Sequence, residues 1–166
     1  MPAPETNVTN KLNKEIASII KRFRRDESST SLKENLTYSD FFSNRMLMIK
    51  VIREGVPYSF FNLIRHYAPF SENDWANFLD ISTKSLQRYR LTSKQFKPIQ
   101  SEKIIELAEV TNVGLDVFEN MEKFKLWLDT PNFSLGSLKP IELLKDSYGK
   151  EMVIGELTRI NYGILA

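Results

Sequence analysis

Residues 71–90 read SENDWANFLDISTKSLQRYR, and this window decides how the rest of the chain is parsed. Ser71 stands ahead of an apolar-periodic run as a helix N-cap, because its hydroxyl can accept from the free N–H groups of a first turn. Trp75, Leu79, Ile81, Leu86 and Tyr89 recur at spacings that put them on the inner faces of two successive helices. Ala76 supplies the small residue needed where the second helix crosses the first. Asp80 stands at the corner, where the backbone must enter the left-handed region. Many such corners use glycine, and aspartate enters that region more readily than most other side chains. Ser82 then caps the second helix. The pattern is that of a helix-turn-helix.

The surface of the second helix points to nucleic acid. Between Ser82 and Lys97 lie five basic residues (Lys84, Arg88, Arg90, Lys94 and Lys97) and no acidic one. Ser82, Thr83, Lys84, Ser85, Gln87 and Arg88 fall on its outer positions, with Arg90 and Lys94 following. Glutamine can bond adenine in two places and arginine can do so with guanine, while serine, threonine and lysine meet bases or phosphates. The helix N-terminus adds free N–H groups for a phosphate.

Outward from this window the pattern stays helical. Residues 1–10 show no periodicity and are expected to be a disordered tail. Leu12, Ile16, Ile19, Ile20 and Phe23 then mark a helix ending in the basic run Lys21–Arg25, and residues 26–35 read as a polar linker. One further helix is expected over residues 39–54, with Phe41, Phe42, Met46, Ile49 and Ile52 on one side and Gly55 as C-cap. A short helix over residues 58–67 follows Pro57, and Pro69 ends it. Beyond residue 98, Ser101-Glu102-Lys103 opens a long helix; a further apolar turn, Leu115 to Phe118, leads into a helix over residues 121–128. Residues 129–136 form a loop on their proline, asparagine and glycine content. Pro140 starts a short helix to Lys145, and Gly149 precedes a last one through Val153, Leu157 and Ile160. No alternating stretch marks a strand, so the expected fold is all-α. The expected division is residues 1–54 as tail and helices with a possible role in dimerisation, 55–98 as the helix-turn-helix domain, and 99–166 as a second helical domain.

Composition narrows the function. The 166 residues include no cysteine, which removes disulfides, thiolate metal sites and a cysteine nucleophile. His66 is the single histidine, with no second metal ligand at helical spacing, and there is no glycine-rich phosphate loop or nucleophile elbow. Neither an enzymatic activity nor a cofactor is expected. No apolar run is long enough to span a bilayer, and residues 1–15 lack the apolar core of a secretory signal, so a cytoplasmic protein without a membrane partner is expected. The net charge of +2 conceals an asymmetry. Residues 1–100 carry sixteen basic against ten acidic side chains, and residues 101–166 carry seven against eleven. A basic half suits a polyanion and leaves the acidic half for another partner. The carboxylates of Glu102, Glu106, Glu109, Glu119 and Glu122 are expected on an exposed helix face.

Several short motifs occur in a recognisable order: Gly55-Val56-Pro57, Asp80-Ile81-Ser82 with Leu86-Gln87-Arg88, and Ser101-Glu102-Lys103. Val117-Phe118-Glu119-Asn120, Trp127-Leu128-Asp129-Thr130-Pro131-Asn132, Leu135-Gly136 and Pro140-Ile141-Glu142-Leu143-Leu144 follow, then Gly149 and the terminal Arg159–Ala166. On these residues the chain from about Ile52 onward resembles the Xre/MbcA/ParS antitoxins, especially those paired with RES-domain toxins. The resemblance implies a central Xre-like helix-turn-helix that represses the operon's own promoter and a C-terminal toxin-binding domain. It implies as partner a RES-domain toxin that consumes NAD⁺, whose substrate pocket the end of the antitoxin approaches. On the matching positions, Arg159, Asn161, Tyr162, Gly163 and Ala166 are the expected occluding residues, with Trp127, Asn132 and Phe133 as further toxin contacts. Trp127 reads more readily as core, and Phe133 as the stronger interface residue. A pocket that holds a pyrophosphate is electropositive and would draw an acidic, carboxylate-terminated segment.

Operator DNA is the other expected partner, read by a homodimer to match a palindrome, within a larger complex with the toxin. A stand-alone helix-turn-helix regulator without a toxin is the competing possibility. A toxin inhibitor that has lost DNA binding is another, favoured by Asp80 in the turn.

Overall fold

In a computed structural model, residues 4–26 and 35–163 are described. Among them the chain forms ten α-helices and one 3-10 turn, with no strand beyond an isolated bridge between Asn132 and Leu138. In order these are α1 (Pro4–Asp26), α2 (Tyr38–Phe41), α3 (Arg45–Glu54), α4 (Tyr58–Tyr67), α5 (Glu72–Phe78), α6 (Thr83–Thr92), α7 (Pro98–Phe118), α8 (Met121–Leu128), the 3-10 turn Phe133–Leu135, α9 (Pro140–Leu143) and α10 (Ser147–Asn161). The all-α fold is as expected. The chain forms two compact units, whose boundaries fall after α4 and within α6 and α7. Tyr89–Glu102 join the chain up to Tyr67 in one, and Ala68–Arg88 join the chain from Lys103 onward in the other.

The first unit is built on an aromatic core. Helix α1 packs on α4 and α2, burying Leu12, Ile16, Ile19 and Ile20. Phe41, Phe60 and Phe61 are fully buried, each such side chain contributing about 1.5–3 kcal/mol by leaving water. Phe41 meets Phe60 edge-on at 6.2 Å, and Phe61 meets Phe96 at 4.9 Å. The segment Gly55-Val56 is clamped to residues 96–101. The Phe96 N–H donates to the Val56 carbonyl at 2.9 Å, the Val56 N–H donates to Ser101 Oγ at 2.8 Å, and the Ser101 hydroxyl donates to the Phe96 carbonyl at 3.2 Å. Gly55 has φ 97°, and a Cβ there would collide with the Phe96 carbonyl oxygen, so the motif needs glycine on both counts. Ser101 is wholly buried because its hydroxyl completes this backbone pairing.

Two expectations for this unit are corrected. The chain is already helical at Pro4. Proline suits a first turn, where its missing N–H has no use, and Val8 extends the Leu12–Ile16 row by one turn. Residues 39–54 do not form one helix. Asn44 interrupts them, its side chain accepting the Leu47 N–H at 3.0 Å and starting α3 afresh. The restart rotates the face: α3 buries Leu47, Met48 and Val51, while Met46 is 63% exposed and Ile49 and Ile52 lie at least partly open. The linker expected near residues 26–35 falls almost wholly outside the described residues.

The second unit centres on Trp75, Ile105, Leu107, Ala108, Phe124, Leu144, Val153 and Leu157, all buried. Helix α10 packs on α9 and on the 3-10 turn. Gly149 lies inside α10 rather than before it, and a Cβ there would overlap the Leu143 backbone. Glycine is therefore what lets the helix and that main chain meet. Helix α7 is longer than expected at both ends, starting at Pro98 and absorbing the Leu115–Phe118 turn. Glu106 and Glu109 are not free surface carboxylates either. Lys103 Nζ lies 2.6 Å from Glu106 and also donates to the Leu144 carbonyl, Ser147 donates to Glu106 at 2.8 Å, and Lys150 pairs with Glu109 at 2.6 Å. These groups, with both lysine–glutamate pairs largely buried, tie α7 to α10.

Tyr38 is the least comfortable buried residue. Its ring meets Phe42, Phe60 and Tyr67 edge-on, and its hydroxyl has no hydrogen-bond partner. Burial, followed by the nearby Tyr67 phenol, pushes its pKa far above the ordinary value. An unfolded chain releases this proton near pH ~10, whereas the folded chain retains it. The associated stability is present below about pH 10 and is lost as pH rises past it. Tyr38→Phe removes the unpaired hydroxyl and is expected to gain about 1 kcal/mol at neutral pH. Denaturant unfolding between about pH 9 and 11 should show the variant losing less stability than the parent, as the sign of the linkage requires.

Candidate functional site

The corner between α5 and α6 closes as the sequence pattern requires. Ser71 and Asp74 form a reciprocal capping box at the start of α5. At its end Asp80 adopts φ 53°, a left-handed conformation. The Ile81 N–H donates to the Ala76 carbonyl at 3.0 Å and the Asp80 N–H to the Asn77 carbonyl at 3.3 Å. That pair of bonds is a Schellman ending with aspartate in the usual glycine position. Ala76 is buried beneath the turn, alongside Trp75, Leu79 and Leu86, while Ile81 and Tyr89 are half-buried. Tyr89 stacks on Phe96 at 4.4 Å and its hydroxyl donates to Gln100 at 3.3 Å, seating the last turn of α6 in the first unit.

The outer face of α6 is open. Lys84, Gln87 and Arg88 stand three and four residues apart, share one face and are exposed. Ser82 and Ser85 are more committed. Ser82 Oγ accepts the Ser85 N–H and donates to Ser85 Oγ, both at 3.0 Å, so this pair builds the N-cap. Thr83 is half-buried; Arg90 is exposed in the last turn and Lys94 in the segment after it. A carboxylate missed by the sequence pattern lies beside this face. Gln87 reaches Glu72 Oε1 at 3.5 Å across the corner, a proximity that only folding the two helices together creates.

At the other end of the chain, the expected contact residues divide into builders and presenters. Trp127 is half-buried, facing Phe118 at 5.7 Å and Phe124 at 6.3 Å. Asn132 pins its loop: its N–H donates to the Leu138 carbonyl at 3.0 Å and its side chain accepts the Ser134 N–H at 2.8 Å. Its carbonyl accepts from Leu135 and Ser137 at 3.1 and 2.9 Å. The loop so fixed displays Phe133, which is 90% exposed. Arg159 pairs with Glu156 at 3.2 Å. Asn161, Tyr162 and Gly163 are exposed at the end of α10, and Ala166 lies outside the described residues. Tyr148 and Met152, exposed on α10, were not among the residues singled out from the sequence.

His66 is exposed, with Nδ1 2.6 Å from the Asn62 carbonyl oxygen. Among the described residues no group of three histidine, cysteine or acidic side chains is placed to hold a metal, and no helix is long and apolar enough to cross a membrane.

Comparison with known proteins identifies two domains along the chain. Residues 47–109 match the antitoxin Xre-like helix-turn-helix domain, and residues 114–163 match the antitoxin Xre/MbcA/ParS C-terminal toxin-binding domain. The two matches follow one another along the chain and account for α4–α6 and α8–α10 between them. The chain belongs to the Xre/MbcA/ParS antitoxin family. It is similar to the protein named Antitoxin Xre from Yersinia enterocolitica serotype O:8 / biotype 1B, 25% identical over 125 residues that cover 75% of this chain and 84% of that relative. A helix-turn-helix and a toxin-binding domain on one chain give it two partners, DNA and a toxin, and its family is one of antitoxins rather than enzymes.

The left-handed corner sets the stability of the helix-turn-helix. Asp80→Gly is expected to stabilise the fold by about 0.5–1 kcal/mol, and Asp80→Val to destabilise it by about 1–2 kcal/mol, because a β-branched side chain tolerates φ near 53° poorly. Thermal unfolding of the two variants beside the parent checks both signs.

Proposed function

We propose that this chain is the antitoxin of a type II toxin–antitoxin pair that neutralises a RES-domain, NAD-consuming toxin by occluding its active site. In this proposal it also represses its own operon through the helix-turn-helix, acts in the cytoplasm and binds its operator as a homodimer within a larger complex with the toxin. The observation that carries the proposal is the pairing, on one chain, of an exposed acid-free basic face on α6 with a matched toxin-binding domain.

Residues 55–98 are assigned to DNA. Lys84 and Arg88 reach phosphates or base edges, Gln87 reads a base, and Ser82, Thr83 and Ser85 hold the helix N-terminus against the backbone. Arg90 and Lys94 add phosphate contacts. Glu72 beside Gln87 opposes indiscriminate binding to phosphate, because a carboxylate so placed repels the backbone. The closed Schellman corner at Asp80 supports this reading over a module that has lost DNA binding.

Residues 99–166 are assigned to the toxin. Phe133 supplies an exposed aromatic anchor, and Arg159, Asn161, Tyr162, Gly163 and Ala166 form the end that enters the substrate pocket, with Trp127 and Asn132 supporting the loop. Glu106 and Glu109 are engaged internally, so attraction to an electropositive pocket falls to the exposed carboxylates, among them Glu142, Asp146 and Glu151. Residues 1–54 are assigned to dimerisation.

Replacing Lys84 and Arg88 together by alanine is expected to weaken promoter binding about 100-fold or more while neutralisation survives. A shift assay across a salt series, paired with growth of cells expressing the neighbouring gene, separates the two activities; the parent's affinity should fall steeply with salt as counterions are released. Intact promoter binding in the double variant, or loss of neutralisation, counts against the assignment. Deleting residues 161–166 should do the converse, freeing the toxin while circular dichroism still shows a folded chain. A truncated chain that still protects cells refutes the occlusion.

A further inference from the structure

Apart from Arg159, which pairs with Glu156, the outer face of α10 carries side chains for which this chain's own core has no use. Tyr148, Met152, Gly155, Arg159 and Tyr162 follow at intervals of four, three, four and three residues, so they form one row along the helix and its cap over about 20 Å. The opposite face, with Gly149, Val153 and Leu157, is buried. Tyr148 is 85% exposed, Tyr162 76% and Met152 49%.

At the centre of the row stands Gly155. It is exposed, in the interior of a helix, and a Cβ added there would meet nothing within 4 Å. Gly149, in the same helix, is explained by the Leu143 backbone against it; Gly155 has no such neighbour. Glycine in a helix interior is unfavourable relative to alanine because it loses more backbone freedom on folding. The fold thus retains a weakening residue where space is free, between two exposed tyrosines and a methionine.

We propose that this row is the seat of the toxin, with Gly155 the point where a toxin main-chain segment comes closest. The inference rests on the proposed function and extends its contact surface beyond Phe133 and the last residues of the chain. Three observations favour a toxin segment over other occupants. The row lies entirely inside the matched toxin-binding domain, residues 114–163. It runs without a break into Tyr162 and Gly163. Its residue types (tyrosine, methionine and arginine, with no lysine) are those concentrated at the centres of protein interfaces. The matching segment is apolar, with acceptors for the two tyrosine hydroxyls and a backbone close enough to exclude a side chain at position 155.

The test is Gly155→Gln in the full-length chain, titrated with the purified product of the adjacent reading frame and, separately, with promoter DNA. The proposal expects a Tm higher by about 2–4 °C, unchanged DNA affinity and a toxin affinity lowered about 100-fold, with Tyr148→Ala lowering it about tenfold or more. A parent chain that binds this protein, beside a Gly155→Gln variant that binds it equally well, overturns the inference and leaves the proposed function standing. A parent chain that does not bind it overturns both. Sedimentation addresses a second copy as occupant: a variant that loses self-association yet keeps its toxin affinity overturns the assignment of the row to the toxin.

Discussion

A single left-handed residue governs what this chain can do. If Asp80 could not hold φ 53°, the Ile81 N–H would lose the Ala76 carbonyl, α5 and α6 would not turn over Ala76, and Leu86 would leave the core. The exposed face of α6 is basic only in the sense that its buried face is anchored; the corner decides which side is which. Aspartate meets the steric demand less comfortably than glycine. The chain uses the same device elsewhere, with Ser93 at φ 49° after α6 and Glu119 at φ 52° after α7. Three helices ending on strained non-glycine residues imply that tertiary packing, rather than local preference, determines where they stop.

Legibility in the sequence followed the strength of the punctuation. Helix α4 was bounded by Pro57 and Pro69, and its ends and its buried Phe60, Phe61 and Ile64 were readable as a result. Ser71, Ala76 and Asp80 were readable because each has a narrow stereochemical job. Asn44 has an equally definite one, as the cap of α3, but the apolar residues on either side of Ser43-Asn44-Arg45 fit a continuous helix. Overlooking it sets Met46, Ile49 and Ile52 on one side with Phe41 and Phe42, whereas the restarted helix buries Leu47, Met48 and Val51. Pro4 and Val8 were hidden by the polar residues around them.

Much of the electrostatics was not legible. A count of acidic residues beyond position 100 suggested a negative surface, yet Glu106 and Glu109 are bound within the unit by Lys103, Ser147 and Lys150. Lys103 stands one turn from Glu106, but Ser147 and Lys150 lie forty-one residues from the carboxylates they meet, and no periodicity connects those pairs. Conversely, the proximity of Glu72 to Gln87 places a negative charge next to a helix whose own sequence has none. Charge that matters to a partner is what remains after such internal pairing, and only the folded arrangement performs that subtraction.

The chain has two tryptophans, and both lie in one unit: Trp75 among Ala68–Arg88 and Trp127 beyond Lys103. The other unit holds only phenylalanine and tyrosine as its aromatic residues. Selective excitation of indole therefore watches one unit alone, whereas far-ultraviolet ellipticity watches every helix. The molecule carries a built-in optical label that tells whether its two halves melt as one cooperative body or in succession.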